Sequence, residues 1–399
     1  MTSPRDDAPA RVPMLALIGV AELLCMTLWF TASAGSEQLA AEWRLGPAET
    51  AWLTMAVQLG FVVGTALAAV SNVADIVSSR HYFAACGLAA AAVNAGLLLA
   101  PGYGWALVLR LTTGVLLAGV YPPAMKMAAT WFRSARGLAI GTVVGALIVG
   151  KATPYLILAF DDRFETVVQL SSAGAVAGAL LMLLLYRDGP YSFPRRPFSW
   201  RLAAVAWSHR KTRLAIAGYL GHMWELYAMW TWIPAFLVAS FARYELRTDA
   251  ELGPWVGGFV AFGTIAAGGV GSILGGVLSD RIGRGAVVNL SMAVSGACCL
   301  VVGLFFGAHP AFLVPLVLVW GFSVVADSAQ FSAMVTDVAP PHAVGTALTL
   351  QTSLGFLLTL VTIQSVPLIE AHLGWGWAFP LLSLGPIAGI AAIRRMGRP

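Results

Sequence analysis

The sequence predicts an all-α polytopic membrane protein with twelve transmembrane helices in two pseudo-symmetric six-helix bundles. The first observation behind this prediction is composition: of 399 residues, 58% are hydrophobic and 11% are charged, whereas an ordinary soluble domain carries about 25% charged residues. The second is that the apolar residues form about a dozen stretches of roughly 18–25 residues, each long enough to cross a hydrocarbon core of about 30 Å. The third is an internal repeat that relates the two halves of the chain.

The predicted helices lie between breaks that are rich in charged residues, glycine or proline. In the first half, helices 1 to 6 are predicted over 13–33, 51–70, 82–100, 105–129, 138–158 and 167–186. In the second half, helices 7 to 12 are predicted over 214–240, 254–278, 286–306, 311–335, 344–368 and 376–393. Short breaks such as Pro101-Gly102 favour antiparallel neighbours joined by tight turns.

One long polar break, 187–213, divides the chain into a first bundle (1–186) and a second bundle (214–399). With the N-terminus inside, the cytoplasmic segments contain about 17 basic residues and the opposite loops about 4, which fits the positive-inside rule. Both termini and the central loop are therefore predicted to be cytoplasmic, in a multi-pass protein of the inner (plasma) membrane.

Similar short segments recur in the two halves. Residues 71–75 follow helix 2 and end in aspartate, as 276–280 do after helix 8. Residues 137–142, Gly-Leu-Ala-Ile-Gly-Thr, open helix 5, and the similar residues 345–349, Gly-Thr-Ala-Leu-Thr, open helix 11. Both pairs are separated by about 205–208 residues, which indicates a duplicated six-helix unit.

Two of these segments also carry a resemblance to a known family. Residues 275–284, Gly-Gly-Val-Leu-Ser-Asp-Arg-Ile-Gly-Arg, resemble the cytoplasmic loop signature of the major facilitator superfamily, and 110–114 followed by Ala118-Gly119 look like its second signature. The join at 131–137 is loosely similar to that of the family's organic-anion and monocarboxylate branches. The resemblance implies a secondary transporter whose halves rock around a cavity lined by helices 1, 4, 7 and 10.

The same resemblance implies a cytoplasmic latch that acts during the conformational change. Its expected members are Asp280, Arg281 and Arg284 in the second half and Asp75 in the first. The first-half copy departs from the family pattern, because Ile76 follows Asp75 where the family has arginine.

Six ionisable side chains lie within predicted helices, where each costs about 2.5–3.5 kcal/mol to insert and is a functional candidate by default. They are Glu22, Arg110, Lys126, Lys151, Glu225 and Asp327. All of them except Lys151 lie on the four helices that the resemblance assigns to the cavity. Lys126, near the cytoplasmic end of helix 4, either lines the cavity or snorkels to the interface.

Proton coupling is expected at Glu225, with Glu22 or Asp327 as an accessory. Glu22 and Glu225 each lie about ten residues into their helices, which is about 15 Å deep and near the midplane. The aromatic residues around Glu225 favour the neutral form of a carboxylate, as a reversible proton carrier requires. His222 shares the helix face of Glu225 and is either a proton relay or a satisfied structural histidine.

The expected substrate is a small organic anion that is taken up with protons. Arg110 and Lys151 reach similar depth in the outer third of adjacent helices, where they bind an oxyanion or form a structural pair with a carboxylate or helix end. Further substrate contacts are expected from Trp224, Tyr227, Trp320 and Gln330. The aromatic members of this set suit a modest apolar body.

Several alternatives stay open from the sequence. The nearest is a proton-coupled efflux antiporter for drugs or amphiphilic cations, and a lesser one is a transition-metal importer that uses methionine and His222. A transport-dead sensor is a third alternative. An enzyme is not expected, because no HExxH, GxSxG or phosphate-loop motif occurs.

The expected partners are a small-molecule substrate, protons and the lipid bilayer, with the chain acting as a monomer. No cofactor or metal is expected, since the four cysteines lie in apolar stretches without CxxC spacing. Nucleic acid is not expected either, because the basic residues lie in loops.

Overall fold

The computed structural model describes residues 10–71, 73–132, 136–191, 200–253 and 255–397, without the side chains of Ala74, Asp75, Arg136 and Trp200. All regular structure in this part of the chain is helical. The expected latch residue Asp75 lies outside the described side chains.

The long helices of the first half follow the predicted order. They are α1 (Arg11–Met26), α2 (Pro47–Ser71), α3 (Ser79–Ala95), α4 (Tyr103–Trp131), α5 (Arg136–Phe160) and α6 (Phe164–Leu185). The short helices between them are Thr31–Ala34, Ser36–Trp43 and Val73–Ile76.

The long helices of the second half also follow the predicted order. They are α7 (Arg210–Thr248), α8 (Trp255–Ile282), α9 (Arg284–Val301), α10 (Pro310–Val338), α11 (Val344–Leu373) and α12 (Trp375–Met396). A short helix, Trp200–Ser208, precedes α7 and packs against α11.

Ten of these helices, all except α1 and α7, are long and apolar enough to cross a membrane by length and composition. The helix α1 has only 16 residues. The helix α7 has 39 residues, but polar and aromatic side chains such as His222, Trp224 and Glu225 interrupt its apolar stretch. The prediction of an all-helical, multi-pass membrane protein is therefore confirmed, and the count of twelve spans in two symmetric bundles stays a prediction.

The prediction of one continuous helix over 13–33 is wrong. The helix α1 ends at Met26, residues 27–30 are not helical, and the short helix Thr31–Ala34 follows. We call residues 27–30 the break in α1. The helix α4 is likewise interrupted between Leu117 and Tyr121, and α10 is interrupted at Asp327. Because the apolar pattern continues through these breaks, hydropathy alone does not reveal them.

The two halves meet along two pairs of helices, α5 with α8 and α2 with α11. Small residues allow the close approach of α5 and α8: a Cβ atom added at Gly269 would lie 3.1 Å from the carbonyl oxygen of Gly145. Between α2 and α11, the Thr359 hydroxyl donates a hydrogen bond to the Gln58 side-chain oxygen. The halves also meet where Trp29 and Phe30, which follow α1, pack against Tyr227 and Trp230 of α7.

Glycine is also required where α2 and α4 touch. A Cβ atom at Gly114 would lie 2.0 Å from the carbonyl oxygen of Val57, and one at Gly60 would lie 2.0 Å from that of Leu111. Because the obstructing atoms belong to the backbone, only a separation of the two helices can relieve the overlap.

We therefore expect Gly114→Ala to lower the free energy of unfolding by about 3 kcal/mol or more, at the upper end of overpacking effects. Gly104→Ala on the same helix is the matched control, because no atom lies within 4 Å of its added Cβ. The control gains helix propensity and should be neutral or stabilising by up to about 1 kcal/mol. Thermal unfolding in detergent tests the pair, and equal melting temperatures for both variants would contradict this packing.

Candidate functional site

Lys151, on α5, lies at the centre of the molecule with 1% of its surface exposed. Its ammonium nitrogen is 3.6 Å from the ring centroid of Trp29, 4.8 Å from that of Tyr227 and 5.6 Å from that of Trp230. The same nitrogen donates a hydrogen bond to the Tyr227 hydroxyl. Residues of both halves thus surround one buried cation, since Trp29 follows α1 and the other two rings belong to α7.

More aromatic rings pack around this group. Phe356 of α11 contacts Trp29 and Tyr227 with centroid distances of 5.8 and 5.1 Å, and Phe61 of α2 contacts Trp29 at 5.2 Å. Phe30 bridges Tyr155 and Trp230 at 6.1 and 6.3 Å. We call Lys151 and the rings Trp29, Tyr227 and Trp230 the central cage.

The ammonium of Lys151 has no carboxylate partner among the described residues. The ion pairs found in that part of the chain involve Arg163, His222 and Arg284 instead. Contact with aromatic faces contributes about 2 kcal/mol when the cation is desolvated, whereas removing an ion from water costs several kcal/mol. The central cage therefore stabilises the buried charge only in part.

Glu22, on α1, is the acid within electrostatic reach of Lys151. It is fully buried, and neither of its carboxyl oxygens has a hydrogen-bond partner among the described residues. A buried carboxyl group without donors is unusual, because an unsatisfied polar group costs about 1–3 kcal/mol and more when charged. Glu22 and Lys151 are thus two incompletely satisfied groups of opposite charge near the centre of the protein.

Other hydrogen-bond donors near the central cage also lack partners. In the described part of the chain, no acceptor contacts the indole nitrogens of Trp29 and Trp230, the Tyr155 hydroxyl or the Gln58 amide nitrogen. All of them are able to donate, and the nitrogens cannot accept. The surroundings of Lys151 are consequently rich in donors, which suits a ligand that carries acceptor oxygens.

Arg110, on α4, is fully buried but holds backbone carbonyl groups. Its guanidinium donates to the carbonyl oxygens of Leu28 at 2.9 Å, Leu53 at 3.4 Å and Trp29, and to the Asn94 side-chain oxygen at 3.2 Å. In this conformation Arg110 thus contacts the C-terminal end of α1. Of the two roles expected from the sequence, oxyanion ligand or structural partner of a carboxylate or helix end, this contact corresponds to the second.

Glu225, on α7, has its partners inside the second half. Its carboxylate accepts hydrogen bonds from Ser295 Oγ at 2.9 Å, Cys299 Sγ at 3.1 Å and Trp320 Nε1 at 2.6 Å. Sequence reasoning missed Ser295 and Cys299, although their four-residue spacing on one face of α9 is a signal that could have found them. Trp320, expected to contact substrate, instead ties α10 to Glu225.

His222 and Asp327 form a buried pair between α7 and the interruption of α10. The Nδ1 atom of His222 lies 2.9 Å from Asp327 Oδ1, and its Nε2 atom lies 2.8 Å from Ser328 Oγ. Both ring nitrogens therefore have a close neighbour within the second half, but Asp327 Oδ1 accepts no hydrogen bond from any described residue.

The remaining expected residues lie apart from the central cage. The Trp224 indole donates to the Leu381 carbonyl at 3.2 Å, and Gln330 is buried in the second segment of α10. At the end of α8, Asp280 and Arg281 are exposed, and Arg284 forms an ion pair with Asp337 of α10. Of the six expected substrate contacts, the structure brings together Lys151 and Tyr227.

Comparison with known proteins identifies the family. The probable sulfoacetate transporter of Cupriavidus necator is 24% identical to this chain over 315 residues, which are 72% of this chain and 70% of that protein. The sequence profile of the Major Facilitator Superfamily matches residues 17–363. Because this match covers most of the length of this chain, the chain belongs to the Major Facilitator Superfamily and is a membrane transporter rather than an enzyme.

Proposed function

We propose that this transporter moves a small organic anion together with protons by alternating access, and that Lys151 binds the anion. The observation that carries the proposal is the buried ammonium of Lys151, which has aromatic rings and one hydroxyl group around it but no described carboxylate partner. An anion beside Lys151 would supply the missing charge and accept hydrogen bonds from the unpaired donors.

The position of the central cage supports a role in alternating access. Lys151 and Trp29 belong to the first half, whereas Tyr227 and Trp230 belong to the second. A ligand between them touches both halves, so its binding free energy depends on how the halves are arranged. A ligand shifts a conformational equilibrium only through such differential contacts.

The proposed architecture is that of the sequence prediction. The helices α1 and α7 cross the membrane with the ten others, the bundles 1–186 and 214–399 are joined by a cytoplasmic loop at 187–213, and both termini face the cytoplasm. The chain acts as a monomer in the inner membrane. The excess of Lys and Arg in the segments assigned to the cytoplasm supports this orientation.

The named relative supports the class of substrate. Sulfoacetate, for which that relative is named, is a small anion, and the similarity extends over 315 residues at 24% identity. Sulfoacetate is therefore the first compound to test, followed by simple carboxylates. An amphiphilic cation is the opposing candidate, and a buried lysine in the central cage repels it.

For proton coupling we place Glu22 first. Bound anion and ionised Glu22 compete for the one ammonium of Lys151, and a proton on Glu22 removes this competition. Glu225 already accepts three hydrogen bonds, and protonation of either oxygen would disturb them. Glu225, Asp327 and His222 are the second set of candidates for the proton carrier. The sequence analysis placed Glu225 first and Glu22 as an accessory, so the proposal reverses the order of these two residues.

The anion site is tested by Lys151→Ala, with Lys211→Ala as the control because Lys211 is exposed in the first turn of α7, far along the helix from Tyr227. Calorimetry should detect binding of sulfoacetate or a small carboxylate to the wild type and to the control. A lost charge-assisted contact of about 1.5–3 kcal/mol should weaken binding to Lys151→Ala about tenfold to hundredfold.

Two outcomes would contradict the anion site. One is unchanged affinity of the anion for Lys151→Ala. The other is a lipophilic cation that binds the wild type and loses affinity in Glu22→Gln, which would support efflux of an amphiphile instead.

The proton carrier is tested by comparing Glu22→Gln with Glu225→Gln in proteoliposomes. Glu22→Gln should lose accumulation of anion driven by a proton gradient but retain exchange of labelled for unlabelled anion, because a permanently neutral side chain still permits binding. Glu225→Gln should keep gradient-driven accumulation and show a lower melting temperature. The opposite pattern would assign the proton to Glu225.

A further inference from the structure

We infer that Arg110 is a positioning residue of the substrate site: it holds the break in α1 that places Trp29 against Lys151. The expected effect on anion binding rests on the proposed function, but the role of Arg110 in holding the break does not. The sequence alone offered Arg110 as a direct ligand or as the partner of a helix end. The contacts of its guanidinium favour the role of partner to a helix end. Because one of these contacts is with Trp29, they also connect Arg110 to the central cage.

The break at 27–30 has only a weak local cause, which is Thr27: its hydroxyl lies 2.7 Å from the Leu24 carbonyl oxygen one turn earlier and 3.2 Å from that of Ser171 of α6. The residues of the break, Thr-Leu-Trp-Phe, include neither glycine nor proline, and apolar residues continue on both sides. Such residues carry only a small propensity penalty in a helix interior. Left to local preferences, α1 would continue into the helix Thr31–Ala34, so the interruption must be stabilised from outside the segment.

Arg110 supplies that stabilisation. The carbonyl oxygens of Leu28 and Trp29, both within the break, accept hydrogen bonds from the two terminal nitrogens of its guanidinium. An unpaired buried carbonyl destabilises the fold, and helix ends always present such groups. A planar guanidinium with several donors can satisfy both carbonyls at once.

The orientation of Arg110 is itself fixed by its neighbours. Its Nε atom donates to the Leu53 carbonyl of α2, and its Nη1 atom donates to the side-chain oxygen of Asn94 on α3. The Asn94 amide nitrogen in turn donates to Ser172 Oγ of α6 at 3.0 Å. The break in α1 is thereby tied to helices α2, α3, α4 and α6 of the first half.

Trp29 connects this network to the central cage. Its carbonyl oxygen contacts Arg110, and its indole ring lies 3.6 Å from the ammonium nitrogen of Lys151. Without Arg110, the carbonyls of Leu28 and Trp29 find partners by rewinding into a continuous helix, where the amides four residues later donate to them. Rewinding rotates Trp29 about the helix axis and moves its ring away from Lys151.

The experiment is a double-mutant cycle with Arg110→Gln, Trp29→Ala and the combined variant, measured as affinity for the anion that binds the wild type. If Arg110 acts through Trp29, each single change should weaken anion binding about tenfold. The combined variant should then bind the anion as tightly as whichever single variant has the lower affinity. Arg110→Lys keeps the charge and part of the donors and should recover part of the affinity. Independent effects that multiply in the combined variant would overturn the inference.

Hydrogen–deuterium exchange of residues 24–34 gives a readout that needs no substrate. Arg110→Gln should slow exchange there, because rewinding pairs amides that the break leaves outside a regular helix. Arg163→Gln is the control, since Arg163 is 72% exposed and pairs with Asp161 at 2.8 Å on the turn before α6. Unchanged exchange in Arg110→Gln would overturn the positioning role, whereas failure of every anion to bind the wild type would contradict only the proposed function.

Discussion

The contact between the Lys151 ammonium and the rings of Trp29, Tyr227 and Trp230 is the interaction on which the rest of the centre depends. A lysine at this depth is stabilised by aromatic faces and one hydroxyl group, which offset only part of the free energy of removing its charge from water. Keeping Trp29 in place requires a broken α1, and the broken α1 requires Arg110. The unusual backbone of the first half and its buried arginine thus follow from one requirement.

Buried charge is distributed unequally between the halves. Among the described groups, the first half holds Arg110, Lys151 and Glu22, and the last two lack hydrogen-bonded partners of opposite charge. The second half holds Glu225, both of whose oxygens accept hydrogen bonds, and the pair of His222 and Asp327, in which Asp327 Oδ1 lies 2.9 Å from His222 Nδ1 but accepts no hydrogen bond from a described residue. Glu22, whose two carboxyl oxygens both lack a hydrogen-bond partner, and Lys151 therefore place most of the incompletely satisfied buried charge on the first-half side of the centre.

The parts of the structure that were predictable from sequence are those governed by short-range pattern. The length of an apolar stretch needed to cross the bilayer located the helices, and the cost of inserting a charge singled out Lys151, Glu22 and Arg110. The partners of these residues were not predictable, because Arg110 contacts carbonyls 81 and 82 positions away and Glu225 contacts donors 70 to 95 positions away. The break in α1 escaped prediction for the same reason, since its main cause lies on another helix.

The most direct test of the account is the number of protons that bind together with one anion. Calorimetric titration of the wild type with sulfoacetate, in two buffers of different ionisation enthalpy near neutral pH, measures this number. If the bound anion and ionised Glu22 compete for the charge of Lys151, anion binding is coupled to protonation of Glu22, and uptake of about one proton per anion is expected. Anion binding with no proton uptake, or with proton release, would contradict the account.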